Sequence, residues 1–439
     1  MLAINVIGGG LAGCEAAYYI AESGIKVRLW EMRPGKMTPA HRSGQLAELV
    51  CSNSLKSELT MSAQGLLKEE MRKMGSLILK CADQARVPAG SALAVDRELF
   101  SALVTGRVES HSGIEIIRAE AVHIPGNEIT IIATGPLTSD KLFDDLNRIS
   151  GEENLYFYDA VAPSVTLESL DKEKIFKASR YGKGSDDYYN CPMTREEYET
   201  FYNELVEADV NEGHSIDKRL FFNGCMPLEV MGRRGLDTLR FGPMRPVGLI
   251  DPRTGKRAWA VVQLRQENQA GTIYGLVGFQ TRLKWGEQDR IFRLIPGLEN
   301  ADFVRYGVMH RNTYLNSPRL LQPTLQYKEN PYLLFAGQIT GVEGYMESAA
   351  TGILSGINAV RLIRGQSLLV MSNSTMLGAL VAFITDSSCR DFQPINANFG
   401  ILPVLPNQIR DKKKRYEEYV KRSRMQMDEI QKMLDQPLK

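Results

Sequence analysis

The stretch INVIGGGLAGCEAA, from Ile4 to Ala17, decides the fold. Ile4 to Ile7 has the pattern of a short buried strand, Gly8-Gly9-Gly10-Leu11-Ala12-Gly13 follows, and a helical pattern runs on through Cys14 to Ser23. A second strand pattern, Ile25 to Trp30, ends on Glu31, 18 residues after Gly13. Glycines at this turn let backbone approach a pyrophosphate, which then lies on the positive end of the helix dipole. Glu31 can accept hydrogen bonds from ribose hydroxyls. A lone GxGxxG is equally served by close helix packing, but strand, glycines, helix, strand and terminal acid together predict a dinucleotide held by Gly8, Gly10, Gly13 and Glu31.

Two later segments extend the site. Ile129 to Gly135, a β-branched run ending in Ala-Thr-Gly, resembles the strand and turn of two-dinucleotide-fold flavoproteins. Leu333 to Gln338, then Gly341 to Met346, then a small-residue helix from Glu347 to about Leu362, resembles the late strand, glycine and helix that place a helix N-terminus against a flavin. Gln338 stands where many such families carry an aspartate, which leaves a polar contact and removes a charge. The order of the three segments favours FAD over NAD as resident cofactor, with Gly135, Gly337, Gln338 and Tyr345 as further contacts. No second GxGxxG follows, so a nicotinamide donor is expected to bind transiently. The expected fold class is α/β: a Rossmann-like FAD-binding domain of the two-dinucleotide flavoprotein type carrying an inserted α+β domain. Residues 1–150 and 326–439 form the two parts of the FAD domain, the second with a basic C-terminal helix, and residues 151–325 form the insertion.

The size fits two or three folded units: 439 residues, 43% hydrophobic and 24% charged, a soluble composition that excludes collagen-like, disordered and disulfide-scaffold classes. The strongest apolar stretch, Met376 to Thr385, is short of the roughly 20 residues of a bilayer span. The start lacks a basic signal-peptide region, and the expected location is the cytoplasm. The net charge of +1 hides a segregation. Residues 151–212 hold 6 Lys or Arg against 15 Asp or Glu, residues 215–265 hold 10 against 4, and residues 410–424 hold 8 against 3. Basic blocks of this kind serve either as solvated faces or as contacts for a polyanion. Within the insertion, Tyr156–Val165, Trp259–Leu264 and Thr272–Phe279 read as strands, and Thr194–Glu207 reads as a helix opened by a Thr194/Glu197 capping box.

The six cysteines form no CxxC pair and the five histidines show no metal spacing, so no metal site is expected. Cys51, in Glu48-Leu49-Val50-Cys51-Ser52-Asn53-Ser54, precedes residues able to cap a following helix, which would favour its thiolate. Cys225, in Asn223-Gly224-Cys225-Met226-Pro227, lies in a turn shortly before Arg233 and Arg234. Cys14, Cys81, Cys191 and Cys389 read as small buried hydrophobes.

These motifs resemble the folate- and FAD-dependent tRNA uracil-5-methyltransferase family, from about Asn5 to Arg415. The matching stretches include VIGGGLAGCEAA, LWEMRP at Leu29 to Pro34, AELVCSNSLKS, ALAVDR, ATGPLTS, SRYGKG, NCPMT, GCMP, VVQLRQEN, AGQITGVEGYMESAA and NANFG. The resemblance implies reductive methylation of uridine 54 in the tRNA T-loop. Methylenetetrahydrofolate supplies the carbon, FAD mediates its transfer and NAD(P)H is the reductant. It also makes Cys225 the nucleophile that adds to uracil C6, Cys51 a second thiol acting as general base or guard, and Tyr345 a cover for the flavin ring. The RNA-binding surface is expected at Arg233, Arg234, Lys412, Lys413, Lys414 and Arg415, with no membrane and no obligate protein partner. Alternatives are the same chemistry on ribosomal RNA, a wobble-uridine modification enzyme, a small-molecule flavin oxidase, and a flavin-containing RNA-binding protein without turnover.

Overall fold

The glycine run joins a strand, Ala3–Ile7, to a helix, Leu11–Glu22. In the computed structural model, which describes residues 3–151, 155–182, 185–211, 226–390, 392–407 and 409–434, this strand is central to a six-stranded sheet. The order is Gln326–Tyr327, Asn330–Phe335, Thr130–Ile132, Ala3–Ile7, Lys26–Trp30 and Ile114–Ile117. All neighbours pair in parallel except the first two. Leu333 lies opposite Thr130 and Phe335 opposite Ile132, so the late strand seats directly beside the Ala-Thr-Gly strand although the whole insertion separates them in sequence. The three segments singled out in the sequence therefore share one sheet edge, where loops leave the carboxyl ends of the strands.

Two helices cross beneath that edge at backbone distance. The Tyr345–Ile363 helix turns Gly352 and Gly356 onto the first helix; a Cβ at Gly352 would lie 2.2 Å from the Ala12 carbonyl oxygen. Two buried carboxylates cap other helices from a distance. Glu15 accepts from Leu77 N and Ile78 N and bonds Ser76 Oγ at the start of the Leu77–Gln84 helix. Glu70, in the Ala63–Lys73 helix, accepts from Met376 N (2.6 Å), Leu377 N (2.9 Å) and Ser423 Oγ (2.6 Å). Glu70 so ties the Met376–Ile384 helix and the terminal Lys412–Leu434 helix to one point. The terminal helix buries Tyr419, Val420, Ser423, Met427 and Ile430, a stripe at helical spacing. Its basic start stays outside.

The insertion has its own core. Its antiparallel sheet runs Phe176–Lys177, Tyr188–Met193, Ala260–Gln266, Ile273–Leu276, Ser164–Thr166 and Phe303–Arg305. Phe201, Phe279 and Phe292 pack as a chain of rings on one face. The Arg195–Glu207 helix carries both bonds of the expected capping box. The expected single strand Tyr156–Val165 is instead two, interrupted before Pro163: Leu155–Ala160 pairs with Met309–Tyr314 in a separate ribbon, and Ser164–Thr166 joins the main sheet. The helix expected after Cys51 is also absent. Ser54–Ser57 is a strand against Ala92–Val95, and Asn53 bonds Val95 O and Gln266 O rather than a helix end. Among the described residues no helix is long and apolar enough to cross a membrane.

Gly352→Ala should lower stability by about 1 to 3 kcal/mol, because the added methyl must displace backbone. Gly106→Ala, in the Arg97–Glu109 helix, meets nothing within 4 Å and should be neutral or stabilising. Urea unfolding of the two variants is the measurement.

Candidate active site

The sheet edge opens into a cleft of about 1010 Å³ lined by Gly8, Gly10, Glu31, Gly135, Gly337, Gln338 and Tyr345. Gly13 sits under it, where a Cβ would come within 1.8 Å of the Gly8 carbonyl oxygen. Gly8 itself has φ +110°, and a Cβ there would run into Ala133 O at 2.4 Å. Gly10 precedes the first helix with no side-chain cap and open space where a Cβ would be. Close backbone, an uncapped helix start and no side chain in the way are features that could receive a dinucleotide pyrophosphate. Glu31 accepts from Gly9 N (3.0 Å) and forms an ion pair with Arg33 (2.9 Å). Burial by itself would raise the Glu31 carboxyl, but the Arg33 guanidinium and these hydrogen bonds outweigh it and hold it below the usual carboxylate range. The buried Arg33 is itself shared with Glu48. Sequence reading passed over Gly9 and Arg33, although both stand inside the motifs that were quoted.

A second cleft, about 1230 Å³, continues from the first, with Pro136, Leu137, Gln338 and Tyr345 lining both. It contains Cys51, Lys56, Arg265, Asn312, Glu343 and Asn396. Gln338 donates to Glu343, a buried carboxylate, so negative charge missing at position 338 stands one side chain away. Lys56 pairs with the fully buried Glu347 at 3.1 Å.

Cys51 is half-buried and its loop is tethered at each step. Ala47 N donates to Gly9 O (2.9 Å), Cys51 N donates to Tyr345 Oη (2.8 Å), and Arg97 donates to Leu49 O (3.0 Å) and Cys51 O (2.9 Å). Arg97 also pairs with Glu267 of the insertion (2.9 Å), which pairs with Arg305 (3.1 Å) and accepts from Ser164 Oγ (2.8 Å). Burial would raise Glu267, but Arg97 and Arg305 hold its carboxyl below the usual range; burial and the Arg97 charge push Arg305 down to about 10. Arg265 donates to Asn53 Oδ1 at 2.9 Å.

Cys225 lies outside the described residues. The described chain resumes at Met226, and Leu228 N donates to the carbonyl of Gln280, a residue lining the Cys51 cleft. Cys14, Cys81 and Cys191 are buried, with their thiols pushed up by desolvation, Cys81 to about 11. Arg233 and Arg234 are exposed in the insertion. Lys412, Lys413 and Lys414 are exposed and Arg415 half-buried at the start of the terminal helix. Asn396 lines the second cleft, and three residues on Phe399 packs on Tyr416 of this helix with ring centroids 4.4 Å apart. Arg233 and Arg234 are not among the residues lining either cleft.

The family described as Glucose inhibited division protein A matches residues 3–367. A protein of Syntrophomonas wolfei subsp. wolfei is 65% identical over 99% of this chain and 100% of its own length. One of Moorella thermoacetica is 60% identical over 94% of each. Both carry the name methylenetetrahydrofolate–tRNA-(uracil-5-)-methyltransferase TrmFO. Aquifex aeolicus GidA superposes with a TM-score of 0.70 at 17% identity, covering 98% of this chain and 74% of that one, which shows a shared fold. The chain belongs to the Glucose inhibited division protein A family, among its TrmFO members.

Arg97→Ala removes one of the partners of a buried carboxylate and frees the carbonyls of Leu49 and Cys51. It should cost about 3 to 5 kcal/mol in urea unfolding and speed alkylation of Cys51 by iodoacetamide, read by peptide mass.

Proposed function

We propose that the protein methylates C5 of uridine 54 in the tRNA T-loop, taking the carbon from methylenetetrahydrofolate, with FAD resident and NAD(P)H as reductant. The observation that carries this reading is the continuity of the two clefts: a dinucleotide cradle opens, past Tyr345, onto a chamber containing a tethered cysteine. The names of relatives at 60–65% identity across nearly the whole chain supply the donor and the acceptor. The cytoplasm, where folate and tRNA meet, is the corresponding location.

The residues present fit FAD. Gly8, Gly10 and Gly13 would receive the pyrophosphate, Glu31 the ribose, and Gly135, Gly337 and Gln338 the remainder of the chain towards Tyr345. When bound, the flavin supplies two-electron redox chemistry and mediates the one-carbon transfer. The protein's own task is to activate the base. Uracil C5 is a weak nucleophile, and addition of a thiolate at C6 makes C5 electron-rich; after C5 has bonded to the carbon, its proton must leave and the thiolate must be expelled. Cys225 is the C6 nucleophile in this reading. It lies outside the described residues, three positions before Leu228, whose N–H donates to the carbonyl of Gln280, a residue that lines the Cys51 chamber. Cys51 removes the C5 proton or guards the reactive carbon. Its position in the chamber, which Arg265 also lines, suits either role. The uridine lies inside the tRNA elbow and must be extruded to reach it. Lys412, Lys413, Lys414 and Arg415 at the start of the terminal helix, and Arg233 and Arg234 on the insertion, supply phosphate contacts.

Purified protein should carry a yellow chromophore and form 5-methyluridine at position 54 of an unmodified tRNA transcript only when methylenetetrahydrofolate and NAD(P)H are both supplied. Cys225→Ser should abolish the product while retaining the chromophore; unchanged methylation refutes the assignment, and product in ribosomal RNA alone redirects the substrate. Replacing Lys412, Lys413 and Lys414 together by alanine should reduce the slope of log Kd against log salt by about 2 to 3. A slope equal to that of the native protein removes them from the interface.

A further inference from the structure

Buried side-chain amides in this chain have partners, with one exception. Asn358 donates to Thr324 O and Leu369 O and accepts from Leu369 N. Gln288 donates to Leu283 O and Gly307 O and accepts from Gly307 N. Asn5, Asn53, Asn190, Gln263 and Gln326 are bonded too. Asn312 is only 4% exposed, yet among the described residues its carboxamide has no hydrogen-bond partner. An amide taken out of water without a partner costs free energy. Asn312 lines the Cys51 chamber, and its amide atoms are not sealed off from that space. The missing partner therefore belongs to whatever enters the chamber.

The strand Met309–Tyr314 carries Asn312 and is paired along its length with Leu155–Ala160, so the backbone that presents the amide is fixed. Gln280 and Asn396 also line the chamber, but they are half-buried and can turn to water. Arg265 lines it as well. Its Nε donates to Asn53 Oδ1, and among the described residues both of its Nη groups are without a hydrogen-bond partner. Burial lowers the pKa of Arg265, while Tyr188, Glu267 and Cys51 act in the other direction. The guanidinium is thus a desolvated cation within electrostatic reach of the thiol. The chamber's other charged side chains are engaged: Lys56 pairs with Glu347, and Glu343 accepts from Gln338.

We propose that Asn312 and Arg265 select and activate the target base, the carboxamide pairing with the O4 and N3–H edge of uracil and the guanidinium donating to the same O4. A carboxamide sets one donor beside one acceptor, the complement of a carbonyl next to a ring N–H. Alone it could turn over and accept cytosine, which presents an amino group and a bare ring nitrogen there. A guanidinium has donors only, so Arg265 at O4 admits the carbonyl and rejects the amino group. The same contact serves the chemistry. When a thiolate bonds to C6, the C5–C6 electron pair moves into the C4 carbonyl and negative charge gathers on O4. Donors already in place in a dry site stabilise that charge without reorganising. C5 then bonds to the carbon, its proton leaves to a base, and the thiolate is expelled. This assignment rests on the reading of the protein as a uridine methyltransferase.

The test uses the full-length FAD-loaded protein and two tRNA transcripts, one with uridine and one with 4-thiouridine at position 54, the sulfur being a poorer acceptor than oxygen. Methylation is followed with methylenetetrahydrofolate and NAD(P)H in excess, and the KM for methylenetetrahydrofolate is measured separately. Asn312→Ala should lower kcat/KM on the uridine transcript about 10-fold or more, with FAD content and folate KM unchanged. Arg265→Gln should lower kcat about 100-fold and leave the KM for tRNA as it was. In both variants the preference for uridine over 4-thiouridine should shrink about fivefold or more, because the group that senses the oxygen is gone. Asn312→Ser and Arg265→Lys, which keep a donor, should fall between each variant and the native protein. A preference equal to the native one in both Asn312→Ala and Arg265→Gln would overturn the assignment. So would a raised folate KM with native kcat/KM for the uridine transcript, which would give these side chains to the pterin or its tail. Loss of FAD or of all turnover in every variant would make the two residues structural and overturn it as well. A native protein that methylates neither transcript would overturn the function on which the assignment rests.

Discussion

One guanidinium ties the Cys51 loop to the insertion. Arg97 lies where the FAD-type domain meets the insertion, and it addresses both: two backbone carbonyls of the Cys51 loop on one side, the Glu267 carboxylate on the other. A loop of this length, without regular structure, would otherwise sample many positions for its thiol. Arginine suits the task because its planar fork donates in several fixed directions at once and stays charged when desolvated. The cost of burying Glu267 is offset by two arginines and a serine hydroxyl together and not by any one pair, while Arg97 Nε and Arg305 Nε stay buried without a hydrogen-bond partner among the described residues. The wall of the Cys51 cleft is consequently made from residues of both sheets' surroundings, Cys51, Lys56 and Tyr345 on one side and Val161, Arg265 and Gln280 on the other.

Tyr345 plays the corresponding part on the cofactor side. It opens the helix that abuts the dinucleotide cleft, lines both clefts, and accepts the Cys51 N–H. Through this one hydroxyl the position of the late helix is transmitted to the thiol loop. The late helix is itself fixed at backbone contact against the first helix by Gly352 and Gly356. From pyrophosphate cradle to cysteine, the chain of contacts therefore runs through two helices and one phenol.

The dinucleotide half of the molecule was legible in sequence because its signals are local. Gly8, Gly13 and Glu31 act within one strand–turn–helix–strand unit, and their spacing states the geometry. The capping box at Thr194 was readable for the same reason. The surroundings of Cys51 were not, since Arg97, which bonds Cys51 O, opens a helix more than forty residues on, and Arg265 and Glu267, which bond Asn53 and Arg97, come from the insertion; each alone reads as one more charged residue. The failed helix after Cys51 has the same origin. Asn53 offers a capping side chain, but its amide is taken by Val95 O and Gln266 O, the latter in the insertion, so a tertiary contact outbids the local preference. The Tyr156–Val165 segment looked uniform in composition, and Pro163 and the choice between two sheets were decided by strand partners more than a hundred residues away.

The pairing of Thr130–Ile132 with Asn330–Phe335 also has a consequence for how the chain is made. A ribosome releases four of the six strands of the central sheet long before the neighbouring late strand exists, while the insertion, which has a core of its own, can form in the interval. The nascent protein must therefore keep an unfinished sheet edge from pairing wrongly until the late strand arrives. Glu70 waits longer still, because the two helices it joins follow it by about three hundred residues or more. Completion of the cofactor-binding half is thus postponed until the segments after residue 325 have been made.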